Sequence, residues 1–309
     1  MLNLEGDNNF ETKGFMMKEE VIKNRSYGGC ITAAYKMMKD NMKMLLKKTW
    51  ILVLVISVIS TALSLLYMPD KQIHDFGMAN IKTTTVLMML SPIVLFVICL
   101  ILFGTVCSFL NKQKIMWNIV RAFKMGGAIV IFIIILASII GGVTLLCGPY
   151  LFNKTTTSSA QYIFIFSIVS AILCMALPLS YVQMKYQMTG KENKLFASFF
   201  KGYKTGFKYW GYIFVTILLS LIVTIVVMFF TSLPYAIMYI CQIQNQMGML
   251  NGDPNGVPTY FHILFFISGM FLYFIYWYLQ LWQYFVCYHM MGSIEAKERE
   301  KQVAKSYTK

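Results

Sequence analysis

Residues 31–66 read ITAAYKMMKDNMKMLLKKTWILVLVISVISTALSLL, and the fold follows from that stretch. In its first half Ile31, Ala34, Tyr35, Met38, Met42, Leu45 and Leu46 recur at helical spacing, with Lys36, Lys39, Lys43 and Lys47 on the opposite face. Residues 51–66 carry no charge. A cationic amphipathic helix therefore leads directly into an apolar span.

The same order returns twice. Phe196, Phe199, Phe200, Tyr203, Phe207 and Trp210 oppose Lys194, Ser198, Lys201 and Lys208, ahead of the uncharged residues 212–233. A shorter middle copy sets Met116, Ile119, Val120 and Phe123 against Lys114, Asn118 and Arg121, ahead of residues 128–147. Lys48, Lys124 and Lys208 close the three basic stretches. Superposing Trp50 on Trp210 brings Ser60 onto Ser220 and Ser64 onto Thr224, with Ala137 and Gly141 of the middle copy within one residue of that register. Small residues four apart let helix backbones approach closely in lipid. The expectation is an internal repeat of three units, although small residues are common in membrane helices.

Composition agrees with membrane insertion. The chain is 58% hydrophobic and 13% charged, against roughly a quarter charged in soluble domains. Six spans are expected, at about residues 50–67, 84–110, 127–147, 162–185, 211–233 and 261–291, with kinks at Pro92 and Pro178 and the fifth span closed by Pro234. Residues 1–29 read as a flexible tail without the apolar core of a cleaved signal peptide, and residues 292–309 as a charged tail.

Lysine and arginine assign the sides. Residues 1–49, 111–125, 185–210 and 292–309 hold 9, 4, 6 and 5 of them, whereas 67–83, 148–160 and 234–260 hold 2, 1 and 0. The positive-inside rule then places both termini in the cytoplasm. Each unit starts and ends inside, so the three are parallel. The expected fold is all-α: a polytopic membrane bundle of six transmembrane helices, built as three repeats of an amphipathic helix plus a helix hairpin. On the outer side, Asn153-Lys154-Thr155 matches a glycosylation acceptor, residues 235–250 suit a helix lying on the surface, and residues 251–256 are a turn signal.

The net charge of +14 flanks spans rather than filling a nucleic-acid module, so nucleic acid is not an expected partner. None of the seven cysteines forms a CxxC pair; His74 falls in a loop, and His262 and His289 sit at opposite ends of the sixth span, too far apart to share a site. No Asp or Glu falls inside a span, and no zinc, nucleophile-elbow or phosphate-loop motif occurs. The expectation is therefore no catalytic residue, no cofactor and no metal ligand.

Two surfaces remain as candidates. Lys36, Lys39, Lys43, Lys47, Lys114, Arg121, Lys194, Lys201 and Lys208 could hold anionic lipid headgroups, or only anchor topology. Tyr273, Tyr276, Gln280, Gln283 and Cys287 line one face of the sixth span among aromatic residues. They read either as the wall of a substrate path or as interhelical hydrogen-bonding groups.

Residues 199–210, FFKGYKTGFKYW, and the span after them resemble a loose group of bacterial six-span membrane proteins, and are similar to the membrane domain attached to some glycerophosphodiester phosphodiesterases. The phosphodiesterase catalytic domain is missing from this sequence, so the resemblance implies neither that activity nor any functional residue. Mitochondrial carriers also have three two-span repeats, but Met68-Pro69-Asp70-Lys71 is not their proline-and-charge motif. The reading is a non-enzymatic integral protein of a bacterial cytoplasmic membrane that engages anionic lipids or a partner protein. The alternative is a permease for a small or lipid-like substrate.

Overall fold

The computed structural model describes residues 21–66, 78–151, 177–189, 195–252 and 258–307. Among them the regular elements are seven helices: α1 (Tyr27–Leu66), α2 (Met78–Asn111), α3 (Ile115–Leu151), α4 (Leu179–Thr189), α5 (Leu195–Lys208), α6 (Trp210–Leu250) and α7 (Thr259–Tyr307). Five of them, α1, α2, α3, α6 and α7, are long and apolar enough to cross a membrane. Most of the expected fourth span, the triplet at Asn153, and the tail up to residue 20 lie outside the described residues.

The helix surfaces agree with a multi-pass membrane protein. Ile131, Ile134, Ile135 and Ile139 on α3 are exposed, as are Ile222, Ile225, Val226, Phe229 and Phe230 on α6. Apolar patches this extended are rare on water-soluble proteins.

All five spanning helices are longer than one crossing needs, and three of them by a factor of about two or more. At about 1.5 Å per residue, α1 and α6 each reach roughly 60 Å and α7 roughly 74 Å, against about 30 Å of hydrocarbon. In α1 and α3 the basic stretch and its span form one continuous helix. Ahead of α6 they separate at Tyr209, whose amide bonds back to Gly206 O at 3.1 Å in a tightened last turn.

Several expected boundaries move. Pro234 does not close the fifth span, and residues 235–250 are not a separate surface helix, because α6 runs through both to Leu250. Proline removes one amide bond, but in lipid no water rewards breaking the helix there. Thr231 and Ser232 donate to the carbonyls of Val227 and Phe229 at 3.0 and 3.1 Å. Beyond the proline, Tyr235 stacks on Phe265 with ring centroids 4.9 Å apart, and its hydroxyl donates to Ser64 Oγ at 3.1 Å. Pro92 lies inside α2, but Pro178 stands just before α4, where a fixed φ suits a helix start. Residues 21–29 are not a loose tail: Val21 is buried, and α1 already begins at Tyr27. The charged residues after Met291 continue α7, with Ser293, Ile294 and Ala296 buried.

The chain divides into two compact units. The first comprises Met1–Ala34, Cys107–Leu219 and Phe285–Lys309, and the second Tyr35–Val106 and Ser220–Tyr284. In the first, α5 lies against α4 through two glycines. A Cβ on Gly202 would meet Val182 at 3.6 Å, and one on Gly206 would come within 2.7 Å of Pro178 Cβ. Gly292 packs against the backbone of Val21. In the second unit Gly269 admits Thr61 and Tyr235, where an added Cβ would come within 2.8 and 2.9 Å of their side chains. Close backbone approach through small residues is how helices associate where lipid and protein are equally apolar.

Glycine substitutions should therefore separate by position. Gly206→Ala should lower the thermal midpoint in detergent, by an equivalent of about 1–3 kcal/mol for overpacking. Gly211→Ala, whose Cβ would meet nothing within 4 Å, should leave it unchanged or raise it by up to about 1 kcal/mol.

Candidate functional site

The basic stretches of α1 and α5 each present three faces. On α1, Lys36, Lys39, Lys43 and Lys47 are all exposed. At about 100° per residue they fall within an arc of roughly 80°. Beside them lie Tyr35, Met42 and Leu46, which are exposed although apolar, and beyond those the buried Ala34, Leu45 and Thr49. On α5 the buried face is Phe199, Gly202 and Gly206. Next round the helix come the exposed Phe196, Phe200 and Phe207, and then Lys201, Lys204 and Lys208, also exposed. The order, buried then apolar then cationic, runs in the same rotational sense on both helices. Lys194 lies outside the described residues.

The expected apolar sides are thus only partly the packed sides. Of the six aromatic residues expected there on α5 and its end, Phe199 alone is buried, while Trp210 is also exposed. Trp50 and Trp210 stand where basic residues give way to apolar ones, the position that indole rings favour at a membrane interface.

The middle stretch is built the other way round. Met116, Trp117 and Val120 are exposed, whereas Asn118 and Arg121 are buried. Asn118 Nδ2 donates to Asn111 Oδ1 at 2.9 Å, and Asn111 Nδ2 donates back to Asn118 Oδ1 at 2.7 Å. This reciprocal amide pair ties the end of α2 to the start of α3. The Arg121 guanidinium donates to Gln187 O and Gln113 Oε1, both at 3.5 Å, and lies 5.2 Å from the Trp117 ring centroid. Arg121 is turned into the protein, while Lys114 is exposed. The spacing of Asn111 and Asn118 across the Lys-Gln-Lys connection was the available signal for this pair.

The end of α7 supplies acidic partners that sequence reading did not assign. Lys208 Nζ donates to Glu298 Oε1 at 2.6 Å, and Lys185 Nζ lies 2.8 Å from Glu295 Oε1, which also accepts from the Tyr181 hydroxyl at 2.7 Å. The hydrogen bond to Glu298 holds the exposed Lys208 amine above the ordinary lysine pKa. Lys297 lies 3.8 Å from the Tyr212 ring centroid and Lys301 4.8 Å from that of Tyr209.

The polar line on α7 divides. Gln283 Nε2 donates to Thr224 Oγ1 at 3.0 Å and so joins α7 to α6 within the second unit. Gln280 and Cys287 are half-buried. Tyr273 and Tyr276 instead line a cleft of about 510 Å³ in the second unit, together with Trp277 of the same helix. α1 contributes Ser60 and Ser64 to it, and α2 contributes Ser91. Tyr235 and Tyr239 of α6 complete its hydroxyl groups. Among the described residues no three His, Cys, Asp or Glu side chains gather as metal ligands.

Removing one amide of the Asn111–Asn118 pair should cost more than cutting the α6–α7 bond. Asn118→Leu removes both reciprocal bonds at once, leaving Asn111 its bonds from Gln113 N–H and to Gln187 O, and should cost about 1–3 kcal/mol. Gln283→Leu should cost nearer the roughly 0.6 kcal/mol average for a membrane interhelical bond, since Thr224 keeps its bond to Ser220 O. Denaturant titration in mixed micelles reads both. Lys208 should titrate above the ordinary lysine value by NMR of methylated amines, and Glu298→Gln should bring it down. A raised amine pKa means the pair is present at neutral pH and is lost only as pH climbs through that raised value. No protein-family model matches the chain, and no curated protein or solved structure shows significant similarity to it.

Proposed function

We propose that the chain is a six-span protein of a bacterial cytoplasmic membrane, made of three parallel units with both termini cytoplasmic, whose basic helices hold anionic lipid headgroups without catalysing a reaction. The one-sided distribution of lysine and arginine supports the topology. The observation that carries the lipid reading is the shared three-face pattern of α1 and α5. On α5, which separates from α6 at Tyr209, an exposed apolar strip beside an exposed lysine stripe suits a helix lying at the headgroup boundary. On α1, one continuous helix with its span, the lysine stripe begins where the span leaves the hydrocarbon.

Electrostatics point the same way. Lys36, Lys39, Lys43 and Lys47 stand three or four residues apart, so neighbours repel by a few tenths of a kcal/mol each. Asp40 is the only acidic residue between 31 and 66. Anionic lipid relieves that repulsion and contributes about 1 kcal/mol per lysine near the surface. A partner protein would have to combine an acidic face with an apolar groove for Phe196, Phe200 and Phe207, whereas an anionic lipid surface offers both at once. A permease path is the second reading, favoured by the cleft beside Tyr273 and Tyr276. The bond from Gln283 to Thr224 engages one of its five expected residues in helix packing.

Spin-labelled lipids in proteoliposomes of the full chain test the first reading. Phosphatidylglycerol should be motionally restricted several-fold more than phosphatidylcholine, and salt should weaken the preference. Replacing Lys36, Lys39, Lys43, Lys47 and Lys201 by Gln should at least halve it. Equal selectivity in wild type and variant would overturn the proposal.

A further inference from the structure

We infer that the cleft in the second unit is a binding site for the glycerol-ester region of an uncharged lipid of the diacylglycerol type. Its volume of about 510 Å³ lies within the range of small-molecule pockets, enough for a glycerol-ester core but not for a whole two-chain lipid. Of its eleven lining residues seven carry hydroxyl groups and none is charged. That composition disfavours ions, phosphates and carboxylates, which require a compensating charge when taken out of water. It also differs from a purely apolar crevice that any acyl chain would fill.

The wall is rich in donors. Tyrosine and serine hydroxyls can donate, and the indole N–H can only donate. Ser64 and Tyr235 are already engaged, Ser64 donating to Thr61 O at 2.8 Å and Tyr235 to Ser64. Tyr239, Tyr273 and Tyr276 add further phenols, while Trp277 Nε1 is buried with no acceptor among the described residues. A ligand that brings carbonyl acceptors on an aliphatic body matches this lining, and ester carbonyls are the acceptors that a membrane supplies.

Depth agrees with that occupant. Ser60 and Ser64 lie 12 and 16 residues beyond Lys48 on α1. At about 1.5 Å per residue this is roughly 18–24 Å along the helix, toward the far boundary of a hydrocarbon layer about 30 Å thick. Lipid esters lie at that boundary. Phospholipids carry the same esters, but their phosphate would find no cation among the lining residues. This inference stands apart from the lysine stripes, so the spin-label result leaves it untouched.

A photoactivatable diacylglycerol in phosphatidylcholine nanodiscs, with the full-length chain, tests it. Cross-links should concentrate on peptides containing Ser60, Ser64, Tyr273 and Tyr276, and unlabelled diacylglycerol should compete them away. The ether-linked analogue, which lacks carbonyls, should label about sevenfold less, as loss of two interhelical-strength hydrogen bonds implies. The shape-preserving variant Tyr239→Phe/Tyr273→Phe/Tyr276→Phe should fall similarly. Labelling spread evenly over the exposed isoleucines of α3 and α6, or equal labelling by ester and ether forms in the wild type, would overturn the site. Loss of the cross-links on doubling phosphatidylcholine at fixed diacylglycerol density would overturn its assignment to an uncharged lipid.

Discussion

A hydrocarbon layer offers a peptide group no partner but another peptide group or a side chain. That constraint underlies most of what distinguishes these helices from soluble ones. It carries α6 through Pro234 and α2 through Pro92. It also explains why buried hydroxyls fold back on their own helices. Thr49, Ser57 and Thr61 on α1 donate to the carbonyls four residues earlier, at 2.8, 2.7 and 2.8 Å. Thr216 and Thr224 on α6 do the same at 2.7 and 3.0 Å. In water such groups could choose solvent; here the helix absorbs them and its outer surface stays apolar.

The same constraint sets how much was readable from the amino acids. Long uncharged runs announce spanning helices, because nothing else accounts for residues 51–66 or 212–233. The lysine stripe of α1 was legible too, since exposed charge at helical spacing has few other homes. Which face packs inward was not. In water the apolar side of α5 would be its buried side, yet Phe196, Phe200 and Phe207 are exposed while Gly202 and Gly206 are buried. When lipid is as apolar as leucine, apolarity no longer distinguishes inside from outside, and small size takes over as the signal.

Long-range polar pairings were hidden for a different reason. Arg121 looked like one more surface cation, and only the fold brings Gln187 O within 3.5 Å of it. Glu295 and Glu298 looked like part of a charged tail, yet the continuation of α7 sets them against Lys185 and Lys208. Pairings separated by about 90 or 110 positions leave no local pattern to read. The amides of Asn111 and Asn118, seven apart across a short connection, lay closest to being legible.

The rotational order shared by α1 and α5 gives each of them a handedness beyond that of the helix itself. A helix with two faces can lie on a surface and be reversed end for end without changing which side is wet. A helix with three ordered faces cannot, because once its apolar strip is down, its lysines occupy one flank and its docking edge the other. On the proposed surface placement of α5, direction of travel along the membrane and side of attachment would thereby be locked together. A retro-sequence of identical composition would place its lysines on the flank where its neighbours must sit.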